Sequence, residues 1–139
     1  MKRFIISGIV FIFTLIGTGT CLALSCTFGS HAQTVPFGTL DPSSSANATA
    51  TVTVTIRCTG SNSTWTLTSN NGLHYSGTTR RMQNTNVSTQ YLPYSLTFSP
   101  TTGNKATTST TGSGTILNSD YINAYVGSYS DTVTITISP

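Results

Sequence analysis

Along much of the chain, apolar and hydroxyl side chains alternate with a period of two, the mark of strands with one buried face. The clearest run is 48–58. Ala48, Ala50, Val52, Val54, Ile56 and Cys58 face one way, and Thr49, Thr51, Thr53, Thr55 and Arg57 the other. The C-terminal run repeats the pattern, with Val133, Ile135 and Ile137 against Thr132, Thr134 and Thr136. Leu92, Tyr94, Leu96 and Phe98 alternate with Pro93, Ser95 and Thr97. Proline cannot donate a ladder hydrogen bond, so this strand is expected at an edge or with a bulge at Pro93. Residues 26–28 and 35–37 read as one interrupted first strand. Residues 64–68 form a strand with Trp65 and Leu67 inward, and 121–126 a short aromatic one. Turn residues lie between, at Asp41-Pro42, Gly60-Ser61-Asn62, Asn70-Asn71-Gly72, Ser99-Pro100, Gly103-Asn104 and Gly127-Ser128. Residues 104–114 are Thr, Ser and Gly without apolar alternation, and read as a long surface loop or a polar edge strand. Past residue 25 no 3.6-residue apolar period persists, so no helix is expected. About six to seven short strands at this spacing predict one all-β domain, an antiparallel sandwich. Its expected core is Val52, Val54, Ile56, Trp65, Leu67, Tyr94 and Leu96.

The N-terminus has a different character. Met1-Lys2-Arg3 precedes a mostly apolar run over residues 4–16, then small residues. This order is that of a secretory signal. Ala23-Leu24-Ser25 offers a cleavage site before Cys26, and cleavage after Ala23 fits equally well. Residues 1–25 are therefore read as a signal peptide and 26–139 as the domain. A permanent anchor is the alternative, but the run falls short of the roughly 20 apolar residues a span needs. A lipid-modified cysteine is a poor match around Cys21 and Cys26. In the exported chain two cysteines remain, Cys26 and Cys58. An oxidising compartment makes one disulfide the simple expectation. A pair of metal ligands is the other reading, although no His or further Cys lies at ligand spacing.

Composition narrows the function. Ser and Thr together make 48 of 139 residues, yet 37% of the chain is hydrophobic and only 6% charged. Disordered chains combine low hydrophobicity with high net charge, and this chain does neither. Threonine is β-branched and suits strands. The formal charge of +3 includes Lys2 and Arg3. Without them, Arg57, Arg80, Arg81 and Lys105 stand against Asp41, Asp120 and Asp131, four minus three, or about +1, which is no footprint for nucleic acid. The acids are few, and no catalytic residue, metal site or cofactor is assigned. His31 and His74 lack any nucleophile context and read as solvent-exposed. Arg80-Arg81 reads as an exposed basic pair on a loop. Trp65 and the tyrosines 75, 91, 121, 125 and 129 could stack on sugars, but Trp65 alternates with Leu67 and reads as core. Three glycosylation sequons, at Asn47, Asn62 and Asn86, are of the kind chance supplies in so Ser/Thr-rich a chain.

Several segments together resemble a known family. They are Cys26-Thr27, Val35-Pro36-Phe37-Gly38-Thr39, the run 51–60 ending Arg57-Cys58-Thr59-Gly60, Arg80-Arg81-Met82, Leu92-Pro93-Tyr94-Ser95-Leu96, and the closing run from Gly127 to Ile137 that contains Tyr129-Ser130-Asp131-Thr132-Val133. The chain resembles the spore coat protein U domain of archaic chaperone–usher pilus subunits. The resemblance implies an incomplete immunoglobulin-like sandwich lacking its final strand, with a Cys26–Cys58 disulfide. It implies a structural subunit of a fimbria, pilus or coat and no enzymatic role. The expected partners are a periplasmic chaperone, an usher and neighbouring subunits, and the route runs through the periplasm to the cell surface. A lent strand would fill a groove lined by Val35, Phe37, Val133, Ile135 and Ile137. The chain stops at Pro139, just after its last strong strand, as a subunit short of one strand would. Two features depart from the pattern. The leader runs almost directly into Cys26, so the subunit accepts a strand but has none to give, as a fibre tip would. After Tyr94 the family's Tyr-Asp and Trp-Gly continuation is replaced by Leu96-Thr97-Phe98-Ser99-Pro100. The rival expectation is a free-standing secreted module that binds carbohydrate or a surface.

Overall fold

In the computed structural model, residues 25–30, 32–59, 64–104 and 107–139 are described in full, and 4–5 and 9–13 as backbone strands. The strands are β1 (Phe4–Ile5), β2 (Ile9–Phe13), β3 (Cys26–Phe28), β4 (Thr34–Val35), β5 (Thr39–Leu40), β6 (Ala48–Cys58), β7 (Trp65–Ser69), β8 (Arg80–Asn84), β9 (Tyr91–Ser99), β10 (Thr102–Gly103), β11 (Thr107–Ile116), β12 (Tyr129–Ser130) and β13 (Thr132–Ser138). A single-turn helix, α1 (Asn118–Tyr121), precedes β12. One sheet runs β12-β8-β9-β11-β6-β3 and the other β10-β7-β13-β2-β4, with β1 and β5 forming a small pair. Among the described residues all pairings are antiparallel except that of β2 with β13. The protein is an all-β sandwich.

Alternation places the core between the sheets. Val54, Ile56, Trp65, Leu67, Tyr94 and Leu96 are buried there, together with Met82, Leu92 and Ile116, and Val52 is half-buried beside them. Cys26 and Cys58 are register partners between β3 and β6 and are joined as a disulfide. The bridge closes a loop with a sequence separation of 32, worth roughly 3–4 kcal/mol by chain entropy. The interrupted first strand is really two strands in different sheets. β3 pairs with β6 in the larger sheet, whereas β4 lies in the smaller one.

The segment expected as a loop or edge is neither. β11 is central, paired with β6 over its whole length and with β9 over Thr111–Thr115. Its inward positions are Thr110, Gly112, Gly114 and Ile116. Two of the four carry no side chain, so no apolar alternation appears in the sequence. Neighbouring side chains occupy the space instead. A Cβ on Gly114 would stand 2.6 Å from the Phe37 ring, and one on Gly112 2.9 Å from both Phe98 and Val52. Pro93 registers with Arg81 of β8 and lies beyond the last β9–β11 pair, Ser95 with Thr115, so the strand is paired on one side only at the proline. Residues 121–126, read as a strand, hold the end of α1 and an irregular loop, with Tyr121 buried and Tyr125 and Val126 exposed. The Gly60-Ser61-Asn62 turn falls outside the described residues.

Close packing makes Gly114 a sensitive position. Gly114→Val is expected to cost about 1–3 kcal/mol in urea unfolding, because the Phe37 ring already fills the site. Ser113→Val, on the exposed face, should shift stability by no more than about 0.5 kcal/mol. Equal midpoints for the two variants would show that Phe37 does not fill that space.

Candidate functional site

The last strand carries the site. In a strand, backbone N–H and C=O groups of alternate residues point to the same side. On the β7 side, β13 is paired along Ile135–Ser138. Ahead of that, the loop after β7 takes over. Asn70 N donates to Thr134 O at 2.9 Å, Leu73 N to Thr132 O at 3.0 Å, and Thr134 N donates to the Asn70 side-chain oxygen at 2.9 Å. Thr132, Thr134 and Thr136 therefore direct their backbone groups toward β7. Val133, Ile135 and Ile137 direct theirs to the opposite side. The same three residues turn their side chains into the core, where they are buried. One set of residues thus offers both the apolar surface and the hydrogen-bonding edge of a seam.

The other wall of the seam is β4. Val35 is fully buried, and Phe37, just past the strand, lies over Gly114. The position between β13 and β4 is filled by β2. It registers Val10, Phe11, Ile12 and Phe13 with Thr132, Val133, Thr134 and Ile135, parallel, and Ile9 and Val10 with Val35 and Thr34, antiparallel. Of the five seam residues named from sequence, Val133, Ile135 and Val35 register directly with β2. Ile137 lies past the end of that register, beside Leu67 of β7.

A buried polar corner fixes where β13 begins. β12 belongs to one sheet and β13 to the other, and only Asp131 stands between them. Its carboxylate is enclosed, at 2% exposure. Oδ1 accepts hydrogen bonds from Leu73 N at 2.9 Å and His74 N at 3.2 Å, and lies 3.1 Å from His74 Nδ1. Oδ2 accepts from the Tyr94 hydroxyl at 2.6 Å. Gly72 adopts φ +91°, and a Cβ there would strike Asp131 Oδ2. His74 is therefore half-buried and partnered, not solvent-exposed, while His31 lies outside the described residues. Nor are Arg80 and Arg81 on a loop. Both lie in β8 and are half-buried. Arg80 donates to Leu96 O at 2.9 Å, Asn70 O at 2.7 Å and Ser69 Oγ at 3.2 Å, bridging the two sheets. Arg81 donates to His74 O and lies 4.2 Å from the Tyr91 ring centroid. Sequence reasoning missed this cluster. The available signal was an acid set between two alternating runs in a chain with so few charges.

Sugar stacking finds little support in the aromatics. Trp65, Tyr121 and Tyr129 are buried, and Tyr75 and Tyr125 are the exposed tyrosines. Among the described residues no three His, Cys, Asp or Glu side chains are grouped to hold a metal, and no helix is long and apolar enough to cross a membrane.

The geometry defines a class: a two-sheet sandwich whose smaller sheet contains a strand position filled from outside the run 25–139. Residues 14–136 match the family model described as Spore Coat Protein U domain, and the chain belongs to that family. A search of curated proteins finds no match. The family is one of structural pilus and coat subunits, which supports a general surface-structure role for the chain.

Burial and the Asp131 carboxylate both push the Tyr94 hydroxyl well above the usual tyrosine range. The folded value exceeds the unfolded one of about 10, so this stabilisation is complete below pH ~10 and is lost as pH rises further. Tyr94→Phe should therefore lessen the loss of stability above about pH 10, read by tyrosinate absorbance and circular dichroism together. If Tyr94 ionises at the ordinary pH while the fold persists, the buried bond is absent. In a double-mutant cycle, Tyr94→Phe and Asp131→Asn should couple by about 1 kcal/mol or more. Additive effects in urea unfolding would show that the two side chains do not interact.

Proposed function

We propose that the protein is a structural subunit of a bacterial surface fibre or coat, assembled by strand addition at the seam between β13 and β4. The observation that carries this reading is the strand position itself. Its occupant, residues 9–13, belongs to a segment with the features of a removable export signal. A domain without that segment has an apolar cleft along Val35, Val133 and Ile135 and unpaired backbone groups beside it. Both are costly in water, and one added strand satisfies both. A periplasmic chaperone would lend the strand first, and a neighbouring subunit would replace it at the usher. With cleavage between Ala23 and Cys26, the subunit accepts a strand and gives none, which suits a fibre tip.

The rival is a free-standing exported module. One observation favours it: the seam is closed by the chain's own residues, so a protein keeping its N-terminus needs no partner. The two readings separate on the exported form. Subunit behaviour requires recovery with a bound chaperone, or stabilisation by an added donor peptide. A monomer lacking residues 1–25 that melts cooperatively and ignores donor peptides would establish the module instead.

Ile135→Asp places a charge in the core-facing row of the seam, with no partner to offset its burial. This variant should lose chaperone capture and be degraded in cells, whereas Thr136→Asp on the opposite face should accumulate. Normal accumulation of Ile135→Asp with bound chaperone would remove the seam from the mechanism.

A further inference from the structure

We infer that residues 9–13 are an internal complement for the seam: a chain that retains them is closed on itself, and the seam opens to another polypeptide only when they are gone. This rests on the strand-addition reading and adds to it the identity of the first occupant.

Three observations converge on this segment. First, the register is in phase with the core. Ile9 stands opposite Val35, Phe11 opposite Val133 and Phe13 opposite Ile135, all three partners buried, whereas Val10 and Ile12 stand opposite Thr34, Thr132 and Thr134. The segment therefore sets every second residue beside a buried partner, as a strand within the smaller sheet does. Second, β2 is paired on both sides at once, with β13 and with β4, as a filling strand must be. Third, Ile-Val-Phe-Ile-Phe consists only of β-branched and aromatic residues. An export signal needs an apolar run, and leucine or alanine would serve. Strand addition favours the side chains that are present here. The N-terminus is held a second time by β1, which registers Phe4 and Ile5 with Leu40 and Thr39.

The consequence is a change of state tied to the N-terminus. With residues 9–13 in place, the backbone groups of Val133 and Ile135 are paired and the smaller sheet is continuous from β10 to β4. Without them, β13 faces an empty position and β4 is separated from the sheet.

The test uses the full chain, oxidised and uncleaved. Amide hydrogen exchange at Val133 and Ile135 should be slowed at least about 100-fold relative to an unpaired amide. Val10→Pro with Ile12→Pro puts proline rings where the segment faces β13, a position a paired central strand does not tolerate, and should displace the segment and abolish that protection, and a synthetic peptide of residues 7–15 added in trans should restore it. A second design does not depend on the stability of that variant. Val10→Cys with Thr132→Cys, in a Cys21→Ser background, places two thiols at register partners and should form a mapped cross-link. Three results would overturn the inference. If the two amides exchange freely in the parent chain, and an unrelated alternating donor peptide then protects them, the inference fails while strand addition stands. If they are protected equally in the parent and in the proline variant with no peptide present, both fail. Absence of the cross-link in a folded chain also rejects the inference.

Discussion

The smaller sheet depends on β13 having a partner on each side. On one side the requirement is met by β7 and by the loop from Asn70 to Leu73, which supplies backbone and side-chain groups where β7 ends. On the other side, among the described residues, it is met by β2 alone, and β4 joins the sheet only through β2. Buried backbone groups left without partners cost as much as lost hydrogen bonds, and here the cost would fall on the residues that supply the core face. The occupant of that position therefore decides whether the sandwich is whole. Sequence outside 25–139 enters the fold at this point.

Two of the chain's few charges, Asp131 and Arg80, hold β13 in position. Asp131 is the single residue between a strand of one sheet and a strand of the other. Its carboxylate gathers two backbone amides and the Tyr94 hydroxyl. Arg80 reaches from β8 to carbonyls of β9 and of the loop after β7. Charged hydrogen bonds are stronger than neutral ones and strict in geometry. They set where the C-terminal strand starts and which residues face the seam. A Thr-rich surface cannot do this, because hydroxyl rows are alike in every register.

Alternation made much of the fold legible. The runs at 48–58, 65–69, 92–98 and 132–138 carry their buried faces openly, and the family motifs follow the same strands. The rest was hidden for specific physical reasons. β11 has glycine at two inward positions because Phe37, Phe98 and Val52 fill that space from neighbouring segments. Period-two reading cannot detect a core face built by other strands. The split of the first strand between two sheets depends on pairing, which alternation does not encode. His74 and the arginines look like surface groups because their partners lie far along the chain, at Asp131, Leu96 and Tyr91. The five residues expected to line a groove were readable as an apolar set, but the segment that lies beside three of them was not. Residues 9–13 satisfy the rules for an export signal and for a strand at once, and composition cannot separate the two.

Strand lengths bear on which edges of the sandwich another strand could join. Exposed edges invite pairing with other chains, and short edge strands are one natural defence. The long strands β6, β9 and β11 lie inside the larger sheet, whose outer strands β3 and β12 span three and two residues. The smaller sheet ends in β10 and β4, of two residues each. With little charge available to repel unwanted pairing, short edges do that work. Loss of β2 changes one thing in this arrangement. Among the described residues it turns β13, a seven-residue strand, into an edge with core side chains beside it. An incoming strand would find there a place long enough to hold it and apolar enough to reward burial. The other long one-sided stretch among the described residues, Ala48–Val54 of β6 beyond its pairs with β3, is not changed by the loss of β2.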